Sequence, residues 1–151
     1  MKVKCIHKPG SKIPEGVLAS GATQETIFHV TWNSLYTVYA MSIWKGMLNY
    51  LILNDDNHRP DWYPACLFEV ADSLLPFDWH FGFVGEKLGW PLFPIWGYPE
   101  LVLDGGKHYL ALIERDPVAL AIFEKQIASA NREPGQSIPN HPTVRDFGRE
   151  N

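Results

Sequence analysis

Four side chains that can bind metal ions lie close together in one polar stretch of the sequence: Asp55, Asp56, His58 and Asp61. Carboxylates and imidazoles are ordinary ligands of divalent cations, so Asp55, Asp56 and His58 are candidate metal ligands. The stretch lacks the central glycine and the final glutamate that a calcium loop requires. The alternative is a solvated hairpin loop at residues 54–61, in which Asp and Asn side chains shape the turns.

The polar stretch continues into two aromatic residues, Trp62 and Tyr63. Trp and Tyr are enriched at protein interfaces, and acidic groups steer basic partners toward a surface. The sequence therefore also predicts a partner-binding patch, whose members are Asp55, Asp56, Asp61, Trp62 and Tyr63. This interpretation requires partly exposed aromatic side chains, and we expect the same exposure for Trp32 and Trp44.

Other arrangements of residues that carry out catalysis are missing from the sequence. It contains no closely spaced histidine pair for zinc, no GxSxG nucleophile motif and no glycine-rich phosphate loop. Cys66 lies in an apolar run, which predicts a buried free thiol. We therefore assign no catalytic residue and no cofactor, and we expect a binding protein rather than an enzyme.

The composition is that of an ordinary globular protein. The chain has 151 residues, of which 46% are hydrophobic and 20% are charged, and this suits one domain with a core of its own. The net charge of −4 disfavours nucleic-acid binding, which needs clustered basic residues, and it permits a basic partner. A surface that stacks RNA bases on the many aromatic residues is a further alternative.

The beginning of the sequence indicates neither secretion nor membrane insertion. Residues 1–7 contain no apolar run of signal-peptide length. No window of the sequence approaches the roughly 20 apolar residues that a membrane-spanning helix needs. Two cysteines form no disulfide framework. We expect a cytoplasmic protein without a membrane partner.

The clearest strand pattern lies in residues 36–72. Residues 36–41 alternate in the manner of one strand, 42–46 predict a turn, and 47–53 predict a second strand. Residues 66–71 predict another strand beyond the polar loop. Short antiparallel strands with tight connections predict a small curled sheet or barrel.

Weaker patterns complete the fold prediction. Further strands are predicted at residues 3–7, 26–30 and 80–84, and helices at residues 99–103, 107–114 and 117–131. The last helix has the best start signal, because Asp116 can cap it and Pro117 suits its first turn. We predict the α+β class: a small curled antiparallel sheet or SH3-like barrel, followed by C-terminal helices. Residues 1–132 would form a single domain and residues 133–151 a C-terminal tail.

Residues 36–72 also resemble a pattern found in small bacterial proteins. Its parts are the Tyr-Thr-Val strand at 36–38, the Tyr-Leu-Ile strand at 50–52, the Asp-Asp loop at 55–56, and the Phe-Glu-Val strand at 68–70 that ends at Asp72. The pattern is similar to SH3-like β-barrels of immunity-type and uncharacterised bacterial families. The resemblance implies a barrel-like sheet and a bacterial source, and it implies no catalytic residue.

These features together predict a protein-binding bacterial protein of the immunity or antitoxin type, which inhibits a basic toxin by occlusion. In this interpretation, the patch around Asp55 and Trp62 meets the toxin's basic active-site surface and charge speeds the encounter. The alternative is a metal-binding domain, or a metal-dependent enzyme, that uses the acidic loop at 55–61.

Overall fold

The computed structural model describes residues 1–131, so the predicted tail at 133–151 lies outside the described residues. The strands are β1 (Lys2–Cys5), β2 (Leu35–Thr37), β3 (Ala40–Trp44), β4 (Met47–Leu53), β5 (Pro60–Pro64), β6 (Phe68–Asp72), β7 (His80–Val84) and β8 (Phe93–Gly97). The helices are α1 (Glu15–Ala19), α2 (Pro99–Val102), α3 (Lys107–Ile113) and α4 (Pro117–Ala130), with short 3-10 turns at Ala65–Leu67 and Glu86–Leu88.

The strands of this region form two antiparallel sheets. One has three strands in the order β2-β1-β6, and the other has five in the order β5-β4-β3-β8-β7. The predicted α+β class is therefore confirmed. Neither sheet closes into a barrel. None of the helices in residues 1–131 has the length and apolar character that crossing a bilayer would take.

The five-stranded sheet has a hydrophobic core on each face. Helices α2 to α4 cover one face, and this larger core includes Ala40, Leu51, Ile95, Leu101, Leu112 and Phe123. The three-stranded sheet packs near β4 and β5, and this smaller core includes Val3, Tyr36, Tyr50, Ile52, Tyr63 and Phe68. The sequence predicted a single small sheet, whereas the protein divides its strands between two.

The predicted strand at residues 36–41 is wrong as a single strand. Thr37 ends β2 in one sheet and Ala40 begins β3 in the other. The linking residues divide in the same way, since Val38 is buried in the smaller core and Tyr39 in the larger core. Because Val38 and Tyr39 are both buried, the apolar pattern continues without interruption from β2 to β3. The sequence therefore gives no sign that the chain passes from one sheet to the other.

The turn between β3 and β4 is shorter than the predicted 42–46. Trp44 pairs with Met47, which leaves Lys45 and Gly46 as the loop. Both have positive φ, 50° and 78°, as a two-residue type I′ hairpin requires. The strand predicted at 47–53 is confirmed as β4.

One further strand prediction fails, and strand β8 was missed, each for an identifiable reason. Residues 26–30 form no strand, and Phe28 and Val30 instead pack against the smaller core. Strand β8 was not predicted, because Pro94 and Gly97 disfavour strands. Gly97 is required here, since a Cβ at this position would lie 2.8 Å from the Cβ of Ala40.

The helix predictions agree more closely with the structure. Asp116 caps α4 by accepting hydrogen bonds from the N–H groups of Val118 and Ala119, at 2.9 and 3.0 Å. Residues 99–103 and 107–114 were predicted as helices and contain α2 and α3. The buried thiol predicted for Cys66 is wrong, because Cys66 is exposed and Cys5 is the buried cysteine.

One buried hydrogen bond between Tyr98, which precedes α2, and His108 in α3 should make the stability of the fold depend on pH. His108 and Tyr98 are buried, and the Tyr98 hydroxyl lies 2.8 Å from His108 Nε2. Burial raises the pKa of Tyr98, so the phenol keeps its proton and donates it to Nε2. Burial also lowers the pKa of His108, and the opposing effect of Asp104 and other carboxylates does not cancel this.

We therefore expect the free energy of unfolding to fall as the pH drops below about 6.5, the ordinary histidine value. Below that pH the unfolded chain binds a proton at position 108 before the folded chain does. The free energy of unfolding therefore falls by up to about 1.4 kcal/mol for each pH unit. Above it, both states are neutral and the residue adds no pH dependence. Urea unfolding between pH 5 and 7 measures the effect, and His108→Gln should reduce the slope; an equal slope in both proteins would contradict the assignment.

Candidate functional site

The predicted acidic patch is used largely to hold the protein together. The Asp55 carboxylate accepts hydrogen bonds from the Tyr36 hydroxyl at 2.5 Å and from Thr31 Oγ1 at 2.8 Å, and its backbone N–H donates to the carbonyl of His29. These bonds tie the loop between β4 and β5 to β2 and the segment before it. Both side-chain bonds involve Oδ2, so this oxygen is held within the protein, while the residue as a whole remains exposed.

Asp61 joins the same hairpin to the helical side of the protein. One carboxylate oxygen accepts from Asn54 Nδ2 and the other from an Arg115 guanidinium N–H, each at 2.5 Å. Arg115 also donates to the carbonyl of Pro60 at 2.6 Å. Asp56 is exposed. Of the three predicted acidic contacts, Asp56 alone has no side-chain hydrogen bond or ion pair among the described residues.

The predicted aromatic contacts are also mostly internal. Tyr63 is 5% exposed and belongs to the smaller core, so its expected exposure is wrong. Trp62 is partly buried, with its ring 5.5 Å from that of Tyr109. Trp44 is partly buried, with its ring 5.0 Å from Phe93, while Trp32 is about half exposed as expected.

The metal-binding alternative receives no geometric support. His58 has a positive φ of 51° and is exposed on the same turn as Asp55 and Asp56. Across residues 1–131, no group of three or more His, Cys, Asp or Glu side chains is arranged to hold a metal ion. Asp55 already accepts two hydrogen bonds from the protein.

A cavity of about 580 Å³ near the amino terminus brings His7 and Ser11 together. Ser11 Oγ lies 3.2 Å from His7 Nδ1, an arrangement that resembles a nucleophile and its general base. The Ser11 hydroxyl, however, donates its single proton to the carbonyl of Lys8 at 2.7 Å. His7 cannot then act as the acceptor of that proton, and both groups lie on an exposed loop.

Among residues 1–131, the most exposed apolar side chain, Phe77, lies on the connection between β6 and β7, which we call the apolar loop (residues 73–79). Leu74, Leu75 and Phe77 are exposed, and Phe77 reaches 102% of its reference area. Trp79 anchors the end of the loop by packing against the smaller core. A fully exposed phenylalanine gains nothing from the fold and leaves its whole apolar area in water.

The apolar loop has defined local structure. Asp72 Oδ1 accepts from the N–H of Leu74 at 3.0 Å, and Pro76 accepts through its carbonyl from Trp79 at 3.3 Å. The His80 ring nitrogen Nδ1 lies 2.9 Å from the carbonyl of Asp78. These bonds fix both ends of the loop, so its apolar side chains are presented from a preformed turn.

A cleft of about 460 Å³ adjoins the apolar loop. Its walls come from β1, β2, the apolar loop, the start of α2 and the last turns of α4, and include Lys2, Thr37, Tyr39, Asp72, Phe77, Trp79, Tyr98, Gln126 and Ser129. Phe77 therefore stands at the border between a concave and a protruding surface. The mixture of aromatic and polar groups suits a peptide or protein side chain.

The surroundings of the apolar loop are acidic. Residues 60–86 contain five acidic side chains and no Lys or Arg. Asp61 and Glu69 are paired with Arg115 and Lys4. Asp72 and Asp78 bracket the apolar residues and are exposed. The neighbouring basic residue is Lys2, which lies opposite Asp72 in the pairing of β1 with β6.

No family model, curated protein sequence or solved structure matches this chain. Its function is therefore inferred from its own residues. The geometry combines three exposed apolar side chains, an acidic border and a neighbouring cleft. Such a combination is typical of a protein-interaction site, because isolated soluble proteins rarely cluster exposed apolar groups.

The apolar loop was not among the sites predicted from the sequence, although a signal for it exists. Leu74, Leu75 and Phe77 lie between two acidic residues and beside Pro76, in a stretch without the period of a strand or helix. An apolar run without periodicity has no defined face to bury. A buried irregular segment could have the same sequence, so only the structure shows that these side chains are exposed.

Proposed function

We propose that this protein binds another protein through the apolar loop, and that it covers a basic surface of its partner as an immunity- or antitoxin-type inhibitor of a bacterial toxin does. The observation that carries the proposal is the full exposure of Phe77 between Leu75 and Asp78. Aromatic side chains that insert into a partner's pocket supply a large share of binding energy at interfaces.

The acidic border supports a basic partner. Asp72 and Asp78 stand on either side of the apolar residues, with no Lys or Arg between them. Complementary charge accelerates encounter and disfavours acidic competitors, while the apolar contacts slow dissociation. The proposed binding site is thus the apolar loop and not the predicted patch at residues 55–63, while the expected class of partner is unchanged.

A photo-crosslinking experiment tests the proposal and can be done before the partner is identified. The full chain carries p-benzoylphenylalanine at position 77, or at position 118 as a control, because Val118 is also exposed but lies on α4. Irradiation in extract of the source organism should give a discrete adduct from position 77 alone. Equal adducts from both positions, or none, would count against the apolar loop.

Once the crosslinked partner is identified and purified, Phe77→Ala should weaken its binding roughly thirtyfold, the size of a typical hot-spot loss. The melting temperature should not change, since Phe77 is fully exposed. Calorimetry measures the affinity, with Val118→Ala as the matched control. Asp72→Asn with Asp78→Asn should slow association at low salt, and Phe77→Ala binding as tightly as Val118→Ala would refute the site.

A further inference from the structure

A second exposed apolar surface lies on β7 and β8 at one edge of the five-stranded sheet, directly after the apolar loop in the sequence. Phe81 and Phe83 are 52% and 56% exposed, and Phe81 has its ring 5.0 Å from Trp96 and 5.2 Å from Phe83. They point to one face because residues two apart in a strand share a face. The three-stranded sheet covers this face near β4 and β5, where Tyr50 and Tyr63 are buried. We call the exposed part the aromatic edge, which comprises Ile43, Phe81, Phe83, Pro94 and Trp96.

Strand β7 is also an unpaired edge strand. It pairs with β8 on one side, and its residues make no other backbone hydrogen bond within the described part of the chain. Its other face is covered by α2, where a Cβ on Gly82 would lie 2.8 Å from Val102 Cγ1. An unpaired apolar edge is a template for another strand.

The other sheet edges carry features that discourage such pairing, as far as the described residues show. Strand β5 contains Pro60 and Pro64, β6 carries Glu69 and Asp72, and β2 has only three residues. Proline, charge and shortness are the usual means of protecting an edge. Strand β7, with the sequence His-Phe-Gly-Phe-Val, has none of them. Its edge is thus suited to pairing.

The sequence of β7 is close to a palindrome about Gly82. If two copies pair antiparallel across a twofold axis at Gly82, residue 81 of each copy lies opposite residue 83 of the other, and His80 lies opposite Val84. Two cross-strand phenylalanine pairs then form on the exposed face, and aromatic pairs are among the stabilising ones in sheets. The small Gly82 residues meet on the face covered by α2.

The side-chain area that this pairing buries is modest. A half-exposed phenylalanine presents on the order of 100 Å², since an aromatic side chain buries about 150–250 Å² in full. Only Phe81 and Phe83 lie next to the partner strand, because β8 and β3 are one and two strands further in. The two copies then bury on the order of 400 Å² of side-chain area, below the roughly 1,000 Å² of a stable interface, so we expect a weak dimer in which the backbone hydrogen bonds between the two β7 strands contribute much of the contact.

We propose that two copies of this chain associate through β7, centred on Gly82, to form one continuous ten-stranded sheet. The contact is isologous, so it closes after two copies and leaves no growing edge. It uses a different surface from the apolar loop and does not depend on the proposed function. Loss of one would not by itself remove the other.

Sedimentation velocity of the full chain over a range of concentrations tests the proposal. The mass should rise from 17.2 kDa toward twice that value. The variants Phe81→Lys with Phe83→Lys, and Phe81→Glu with Phe83→Glu, place like charges opposite each other and should weaken dimerisation at least about thirtyfold. Phe81→Lys with Phe83→Glu places opposite charges together and should dimerise more tightly than either like-charged variant.

Phe77→Lys is the matched control, because it puts the same charge in place of an exposed phenylalanine outside β7. It should dimerise like the unaltered protein, and thermal unfolding should show that every variant is folded. A protein that stays monomeric at all concentrations overturns the proposal. This is the result expected if the edge of β7 pairs with a strand of a different protein. Equal dimerisation of the like-charged and opposite-charged variants overturns the Gly82-centred pairing.

Discussion

Replacing Phe123 with alanine should lower the free energy of unfolding by about 3–5 kcal/mol. Phe123 is 1% exposed, and its ring lies 4.9 Å from that of Tyr39 and 6.3 Å from that of Tyr98. It therefore connects α4 both to the link between the sheets and to the start of α2. Truncation removes buried apolar area and leaves a cavity that neighbouring aromatic rings cannot fill. Urea unfolding at neutral pH measures the loss.

Val118→Ala is the matched control on the same helix. Val118 lies in the first turn of α4 and is exposed, so its truncation should change stability by no more than about 0.5 kcal/mol. A Phe123→Ala loss of less than about 1 kcal/mol, below the range for buried aromatic truncation, would show that α4 does not hold the larger core together.

The parts of the fold that the sequence predicted well depend on short-range signals. Helix α4 was predicted at 117–131 and occupies Pro117–Ala130. Its start depends on Asp116 and Pro117, which are adjacent to it, and Phe123 and Ala119 lie one helical turn apart on its buried face. Strand β4 likewise depends on local signals: the alternation of its own residues and the adjacent Lys45-Gly46 turn.

The parts that were missed depend on contacts between distant residues. Whether Thr37 and Ala40 belong to one strand depends on which strands lie beside each of them, and these are β1 for Thr37 and both β4 and β8 for Ala40. Strand β8 includes Pro94 and Gly97, whose local preferences oppose a strand. Sheet pairing overrides those preferences, and a single sequence does not show which strands pair.

The same distinction explains the predicted site. Asp55 and Asp61 were selected because acidic residues cluster in residues 55–61, and that cluster exists. Both carboxylates accept hydrogen bonds from residues in other parts of the chain, Tyr36 and Arg115, which come near them only in the folded protein. The spacing of acidic residues predicts where charge is concentrated, but it does not predict whether the fold brings donors to it.

Asp61→Ala is the other substitution with a large expected effect, a loss of about 2–3 kcal/mol. The ion pair with Arg115 supplies little of this, because both side chains are about one-third exposed. The main cost falls on Asn54, which is 2% exposed and donates its Nδ2 proton to Asp61. A buried amide without an acceptor costs about 1–3 kcal/mol. The hairpin also loses its charged link to Arg115 in the connection between α3 and α4.

Asp56→Ala provides the control, since Asp56 lies on the same hairpin and is exposed; its effect should stay within about 0.5 kcal/mol. Asp61→Asn should fall between the two, because an amide keeps one acceptor oxygen for either Asn54 or Arg115 but turns a donor toward the other. Urea unfolding of the three variants therefore ranks them. Equal stability of Asp61→Ala and Asp56→Ala would show that the hydrogen bonds of Asp61 add nothing measurable to the stability of the fold.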